Sequence, residues 1–237
     1  MTSTLMIAGT DTDSGKTVLT CALAAYWQMY CRDRSLGIIK LLQTGTGDRE
    51  LFKSLFSLNQ SLEELNPLHF TAPLAPPIAA EREGRRVELE RAWNALLSLQ
   101  KQRDFVLVES LGGLGSPITH ELTVADLARD WRLSTVLIVP IRLGAIAQAI
   151  SNVALARLTG VKLKGIVLNC VKPCSQQEIT DWTPIDLIES LTHIPVLGIL
   201  PHLDDPTDLV KLAQISAKLD LERLMPLVNS LSTSIFK

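Results

Sequence analysis

The sequence predicts an α/β fold, a single domain over 1–237 in which one mostly parallel sheet carries helices on both faces. Six short apolar runs, at 5–8, 36–39, 105–108, 136–139, 165–168 and 196–200, have the length and composition of buried strands. Between them lie longer stretches at 16–30, 49–58, 87–102, 124–131, 145–159, 184–191 and 207–219 that fit helical periodicity. Alternation of this kind favours a parallel sheet covered on both sides. The bulk composition, 46% hydrophobic and 20% charged over 237 residues, supplies one large core and shows no signature of disorder.

Along the chain, each element has its own reason. Leu5, Met6, Ile7 and Ala8 form an apolar run closed by Gly9. The first helix is expected to follow Gly15 and carries Val18, Leu19, Cys21, Ala22 and Leu23. The second strand ends in Lys40. Residues 66–86 break the periodicity with Pro67, Pro73, Pro76 and Pro77, and read as an excursion within the same unit because both flanks share one alternating pattern. The third core strand, Phe105 to Val108, ends in Glu109 and runs into Ser110-Leu111-Gly112-Gly113-Leu114-Gly115. Later strands repeat the rhythm, one closing on Asn169 and one on Pro201. Right-handed crossovers collect the strand-to-helix loops at the carboxyl edge, where open α/β sheets bind ligands.

Several functional classes are disfavoured. A net charge of −2 gives no long-range attraction for nucleic acid or anionic lipid. The first eight residues carry no basic side chain and run into polar Gly9-Thr10-Asp11, so neither a signal peptide nor a membrane span is expected and the cytoplasm is the expected setting. Cys21, Cys31, Cys170 and Cys174 lack zinc-site or disulfide spacing and read as buried or idle thiols. His69, His120, His193 and His202 form no short ligand pattern, and no Gly-x-Ser-x-Gly turn occurs. Trp27, Trp93, Trp131 and Trp182 are read as packing residues, since no basic stripe accompanies them.

The chemistry concentrates after the first strand. Gly9-Thr10-Asp11-Thr12-Asp13-Ser14-Gly15-Lys16-Thr17 lies between a strand and a helix, the context of a phosphate loop. Backbone N–H groups of the loop and helix start can surround a polyphosphate, Lys16 can neutralise its charge, and the Thr17 hydroxyl can ligate magnesium. Counted strictly, Thr10 stands where the general pattern has its first glycine. Glu109, at the end of four apolar residues, is placed like the carboxylate of a Walker-B strand. Lys40 also ends a strand; by position alone it is equally well a solvated lysine. The fold expectation sharpens to a P-loop NTPase-like sheet.

Gly9 to Thr17, Lys40 to Gly45, Val106 to Gly113 and Asn169, in this order and spacing, resemble the dethiobiotin synthetase family over most of the chain. The family pattern Gly-Thr-Asp-Thr-x-x-Gly-Lys-Thr is met at every fixed position. Asn66-Pro67 through Gly84 resembles its proline-containing segment, and Leu200-Pro201-His202-Leu203 its late nucleotide loop. The resemblance implies an ATP- and magnesium-dependent ligase that joins carbon dioxide to diaminopelargonic acid and closes the ureido ring of dethiobiotin, a step in biotin synthesis. One amine becomes a carbamate, its oxygen takes the γ-phosphoryl group, and the second amine closes the ring.

By the same resemblance, Lys16 and Lys40 are catalytic, Lys40 beside the carbamate. Thr17, Asp48 and Glu109 surround the metal. Asp13, Ser14, Gly15, Lys16, Thr17, Val18, Asp48, Glu109, Ser110, Leu111, Gly112, Asn169, Cys170, Pro201, His202 and Leu203 line the nucleotide, with Asn169 at the purine. Thr12, Lys40, Thr44, Gly112 and Gly144 meet the organic substrate, Gly144 from across a homodimer interface. Leu41 departs from the family's proline after the lysine, and Ser110-Leu111 from its Gly-Ala. The alternatives are another amidoligase or synthetase on the same fold, and an ATPase switch of the partitioning type, whose additional loop lysine has no counterpart at Thr10 to Thr12.

Overall fold

The structure is a computed structural model that describes residues 3–227. Met1, Thr2 and the chain beyond Leu227 lie outside it, and with them both ends of the expected 1–237 unit.

In chain order the elements are β1 (Ser3–Gly9), α1 (Lys16–Tyr30), β2 (Leu36–Lys40), β3 (Leu42–Thr44), α2 (Asp48–Leu55), α3 (Leu62–Leu65), β4 (Leu68–Phe70), α4 (Pro76–Arg82) and α5 (Leu89–Gln102). They continue with β5 (Phe105–Gly113), α6 (Val124–Asp130), β6 (Ser134–Pro140), α7 (Ala145–Thr159), β7 (Leu163–Asn169), α8 (Gln176–Trp182), α9 (Ile185–Thr192), β8 (Val196–Leu200), α10 (Leu209–Ser216) and α11 (Leu221–Leu224). Six strands form one sheet in the order β2-β5-β1-β6-β7-β8, every pairing parallel. All six expected strands are present.

Parallel strands buried on both faces read as continuous apolar runs, and strand pleating then sends alternate side chains to opposite layers. Leu5 and Ile7 of β1 join Leu107, Ile38 and Ile138 on the side of α1, α2, α10 and α11. Met6 and Ala8 join Val106, Val108, Ile39 and Val139 on the side of α5, α6, α7 and α9. Trp27 belongs to the first layer; its ring lies 4.9 Å from that of Phe105 and its Nε1 donates to the Arg34 carbonyl at 3.0 Å. Trp93 and Trp131 pair at 5.1 Å on the second side. These tryptophans pack, as their sequence context suggested.

β2 is an edge strand, and an unpaired edge invites foreign pairing. Here the Gln60 side chain stands in for a neighbouring strand, its Oε1 accepting from Ile38 N at 3.0 Å and its Nε2 donating to Ile38 O at 2.9 Å. Asn66 Nδ2 donates to the Lys40 carbonyl at 2.8 Å, so the last residue of the strand is also held.

Several boundaries differ from the sequence expectation. Helices 16–30 and 145–159 match α1 and α7. The stretch 49–58 gives α2, which starts at Asp48 and stops at Leu55 because Phe56 turns extended. The stretch 207–219 shortens to α10, whose Asp208 cap accepts from Val210 N and Lys211 N. β5 runs to Gly113, past the expected end at residue 108, because Gly112 at φ +50° and an irregular step in the register let Gly9 and Gly113 stay paired. The excursion 66–86 contains β4 and α4, and β3 pairs with β4 in a separate two-stranded sheet.

Candidate active site

The carboxyl ends of β1, β2, β5 and β7 open on one cleft of about 990 Å³. Of the residues singled out from the sequence, Thr12, Asp13, Gly15, Lys16, Thr17, Val18, Lys40, Thr44, Asp48, Leu111, Gly112, Asn169, Cys170, Pro201, His202 and Leu203 line it.

At the phosphate loop, Gly15 caps α1 in the left-handed region at φ +100°. A side chain there would also collide with Asn169, since a Cβ would lie 2.0 Å from Nδ2. The asparagine amide instead donates to the Ser14 carbonyl at 3.0 Å, tying the end of β7 to the loop. The first N–H groups of a helix have no partner inside it, and at α1, where no side chain caps them, Gly15 to Val18 line the cleft, the arrangement that favours an anion. Lys16 folds back to donate to the Asp11 carbonyl at 2.9 Å. Burial, reinforced by the neighbouring charge of Lys40, pulls the Lys16 ammonium down to about 8, against the pull of Glu109, Asp48 and Asp13.

Lys40 lies opposite, at the end of β2 and paired in register with Glu109 of β5. Its Nζ sits 2.7 Å from Glu109 Oε1 and 2.7 Å from Asp48 Oδ2, and donates to the Ser110 carbonyl at 3.0 Å. Lys40 is 4% exposed and Glu109 0%. Burial acts to lower this ammonium, but the charges and hydrogen bonds of Glu109 and Asp48 outweigh it and hold Lys40 above its ordinary value. Burial likewise opposes ionisation of Asp48, yet Lys40 and the Thr17 hydroxyl keep that carboxyl below its usual range.

Thr17 Oγ1 closes the constellation, 3.1 Å from Asp48 Oδ1 and 3.1 Å from Glu109 Oε1. One hydroxyl and two carboxylates beside a phosphate loop are hard oxygen donors of the kind magnesium takes, so the residues fit that ion. No group of three or more His, Cys, Asp or Glu converges among the described residues. An ion here would draw its remaining ligands from phosphate and water.

Four singled-out residues do not line the cleft. Glu109 lies behind the wall residues, fully buried, with its Oε1 2.7 Å from Lys40 Nζ and 3.1 Å from Thr17 Oγ1. Ser14 is buried, with its hydroxyl against the loop at Gly9. Ser110 turns toward a small apolar pocket that Leu41 and Leu111 also line, so only its carbonyl faces Lys40. The three positions that depart from the family pattern thus share one apolar space. Gly144 sits away from the cleft, in the left-handed turn before α7. Sequence reasoning missed Gln43, Pro73, Leu74, Ser116 and Pro117, which line the cleft, and Thr20, which bonds Glu109 from behind. For Pro73 the proline-rich excursion was the available signal; for Thr20, its place one helical turn beyond Lys16 and Thr17.

A family model described as an AAA domain matches residues 3–208. The ATP-dependent dethiobiotin synthetase of Gloeothece citriformis is 57% identical over 223 residues, covering 94% of this chain and 99% of that protein. The chain belongs to the ATP-dependent dethiobiotin synthetase family. A second member, from Crocosphaera subtropica, is 55% identical over 94% of this chain and 99% of its own length. Among solved structures, the MinC:MinD cell division protein complex of Aquifex aeolicus aligns with a TM-score of 0.60 at 12% identity, over 95% of this chain and 98% of that one. That likeness shows the P-loop NTPase fold; the family membership rests on the synthetases.

Proposed function

We propose that the protein is a dethiobiotin synthetase that uses ATP, magnesium and carbon dioxide to convert diaminopelargonic acid into dethiobiotin, ADP and phosphate. The observation that carries this reading is the second buried lysine. Lys16 suffices for holding phosphates, whereas Lys40 stands on another strand between Glu109 and Asp48 and faces the same cleft. The partitioning-type switch carries its additional lysine inside the phosphate loop, where Thr10 to Thr12 stand here, so a lysine on a separate strand suits a second substrate beside the nucleotide.

One substrate amine forms a bond to the carbon of carbon dioxide and loses a proton, giving a carbamate. A carbamate oxygen attacks the γ-phosphorus of ATP and the bond to ADP breaks. The second amine then attacks the carbamoyl carbon and loses a proton, and the bond from that carbon to the phosphate oxygen breaks as the ring closes. Lys16 and the N–H groups at the start of α1 hold the phosphates. Lys40 neutralises the carbamate and the charge that grows as its oxygen meets phosphorus. Thr17, Asp48 and Glu109 would hold magnesium, which supplies charge neutralisation across the phosphates when bound. Thr12, Thr44 and Gly112 orient the diamine, and Asn169, Cys170 and Pro201 to Leu203 receive the base. Positioning and charge supply the catalysis, since the reaction needs no covalent help from the chain.

The working unit in this proposal is a homodimer. Leu143 and Leu158, flanking and ending α7, are 83% and 86% exposed, and the N-terminus of that helix near Gly144 suits a carboxylate brought by a partner's substrate. No described helix is long and apolar enough to cross a membrane. A reaction fed by ATP fits a cytoplasmic setting. Purified protein incubated with diaminopelargonic acid, bicarbonate, magnesium and ATP should yield dethiobiotin by mass spectrometry. A folded, ATP-binding preparation that makes none would move the amidoligase alternative to first place.

A further inference from the structure

A buried carboxylate needs something to decide which of its two oxygens faces the chemistry, because its terminal torsion is broad and roughly two-fold. Glu109 is such a group. Its Oε1 accepts from Lys40 Nζ at 2.7 Å and lies 3.1 Å from Thr17 Oγ1, whose single proton it shares with Asp48 Oδ1 at the same distance. Its Oε2 accepts from Thr20 Oγ1 at 2.7 Å. Thr20 is fully buried in α1 and contributes nothing to the wall of the cleft. Its hydroxyl has one proton and two acceptors in reach, Glu109 Oε2 and the Lys16 carbonyl at 2.9 Å. The charged acceptor at the shorter distance takes it, since hydrogen bonds to ionised groups are the stronger kind.

We propose that Thr20 is a positioning residue for the reaction: its hydroxyl anchors Glu109 Oε2 against α1 and so fixes Oε1 toward Lys40, Thr17 and the cation side of the cleft. The inference rests on the reading of Glu109 as a metal-side carboxylate. Without the hydroxyl, Oε2 is left buried and unpaired, a state that a charged oxygen leaves by rotating toward another donor. The nearest strong donor in the cluster is Lys40, so rotation draws on the same ammonium that Oε1 now uses and disturbs the presentation to Thr17. Thr20 thus links the helix that begins at the phosphate loop to the strand that carries the carboxylate, in one bond between α1 and β5.

Thr20→Val keeps the branched shape and removes the hydroxyl, whereas Thr20→Ser keeps the hydroxyl. Losing a residue that orients a metal ligand costs roughly ten- to hundredfold in metal affinity or activity. Thr20→Val should therefore raise the magnesium concentration for half-maximal turnover, and lower kcat, by about tenfold, with KM for ATP within about twofold of the unchanged protein. Magnesium-dependent tightening of ADP binding, read by calorimetry without turnover, should weaken in parallel. Thr20→Ser should restore both readings to within about threefold. In a Glu109→Gln background, Thr20→Val should add little, because the residue it positions is already altered.

If Thr20→Val does not fold, Thr20→Ala against Thr20→Ser carries the same comparison, since those two differ only by the hydroxyl. Wild-type magnesium response in Thr20→Val, equal damage in the Ser and Val variants, or full additivity with Glu109→Gln would each overturn the proposal. Glu109→Gln alone with an unchanged magnesium response would instead remove Glu109 from the metal side, which is a failure of the underlying reading and is distinguishable from the others.

Discussion

The two ends of the cleft are built by different physics. At the β1, β2 and β5 end, Lys16, Lys40 and Glu109 are almost wholly buried, and every charge has a partner within hydrogen-bond distance. At the β7 and β8 end, Asn169 and Cys170 are buried, but Pro201 and Pro206 are exposed and Val171 is 41% exposed. The thiol there is inert, since burial and the neighbouring Cys174 push Cys170 up to about 12. The first end is a closed set of charges in which each member fixes the next, so a single loss propagates. The second is a looser wall, the part that receives the base in the proposed reading, in which losses stay local. Chemistry should therefore break at Lys40 and the carboxylates that hold it, and affinity at the phosphate loop and the β7 and β8 end.

Lys40→Met is the hardest test of that division. It keeps length and removes the charge, so ATP binding should survive while dethiobiotin formation falls at least roughly a hundredfold, the scale of losing an electrostatic donor in a dry site. Lys16→Met should instead damage nucleotide binding itself. Product assays beside ATP calorimetry on both variants check this, and a wild-type rate in Lys40→Met would erase the distinction between the ends.

Asn169→Ala should move the other way. It removes the amide that holds the Ser14 carbonyl and that the proposal sets beside the base, so KM for ATP should rise roughly three- to tenfold, the worth of a hydrogen bond, with kcat nearly unchanged. A fall in kcat without a change in KM would place Asn169 with the chemistry.

The smallest effect concerns protons. In the free site burial and Lys40 bring Lys16 down to about 8, and a bound polyphosphate favours its charged form. Above pH 8 the free lysine is mainly neutral, so ATP binding should take up part of a proton; at pH 6.5 it is already charged and none is needed. Calorimetry in two buffers of different ionisation enthalpy reads the difference, and identical uptake at both pH values would exclude Lys16 as its source. Asp48 and Lys40 carry the opposite sign. The depressed Asp48 stabilises the fold above its ordinary 3.8 and loses that contribution as pH falls through its folded value. The raised Lys40 contributes below its ordinary 10.5 and loses that contribution as pH rises through its folded value.

What was legible in the sequence follows the same divide between local and distant. Lys16 and Thr17 are adjacent on one helix start, and Glu109 ends an apolar run, so their placement is written in neighbouring residues. Asp48 emerged only through family resemblance, because its meeting with Thr17, 31 positions away, depends on how β2 and α2 are laid against α1. Thr20 was hidden because one helical turn past Thr17 is also where a core-facing residue belongs. The short helices α3 and α8 carry visible capping boxes, Ser61 with Glu64 and Ser175 with Glu178, but their bodies are too brief for periodicity to register. β3 and β4, three residues each, pair with one another and are too short for alternation to register in the sequence.

The central claim is that nucleotide cleavage here serves ring closure. The direct measurement is the dependence of ADP release on the diamine, with dethiobiotin counted in the same samples. A synthetase predicts negligible ADP without diaminopelargonic acid and equal amounts of ADP and dethiobiotin with it. ADP release at the same rate in the presence and absence of the diamine, with no dethiobiotin formed, would contradict the account and return the fold to the nucleotide switches it resembles.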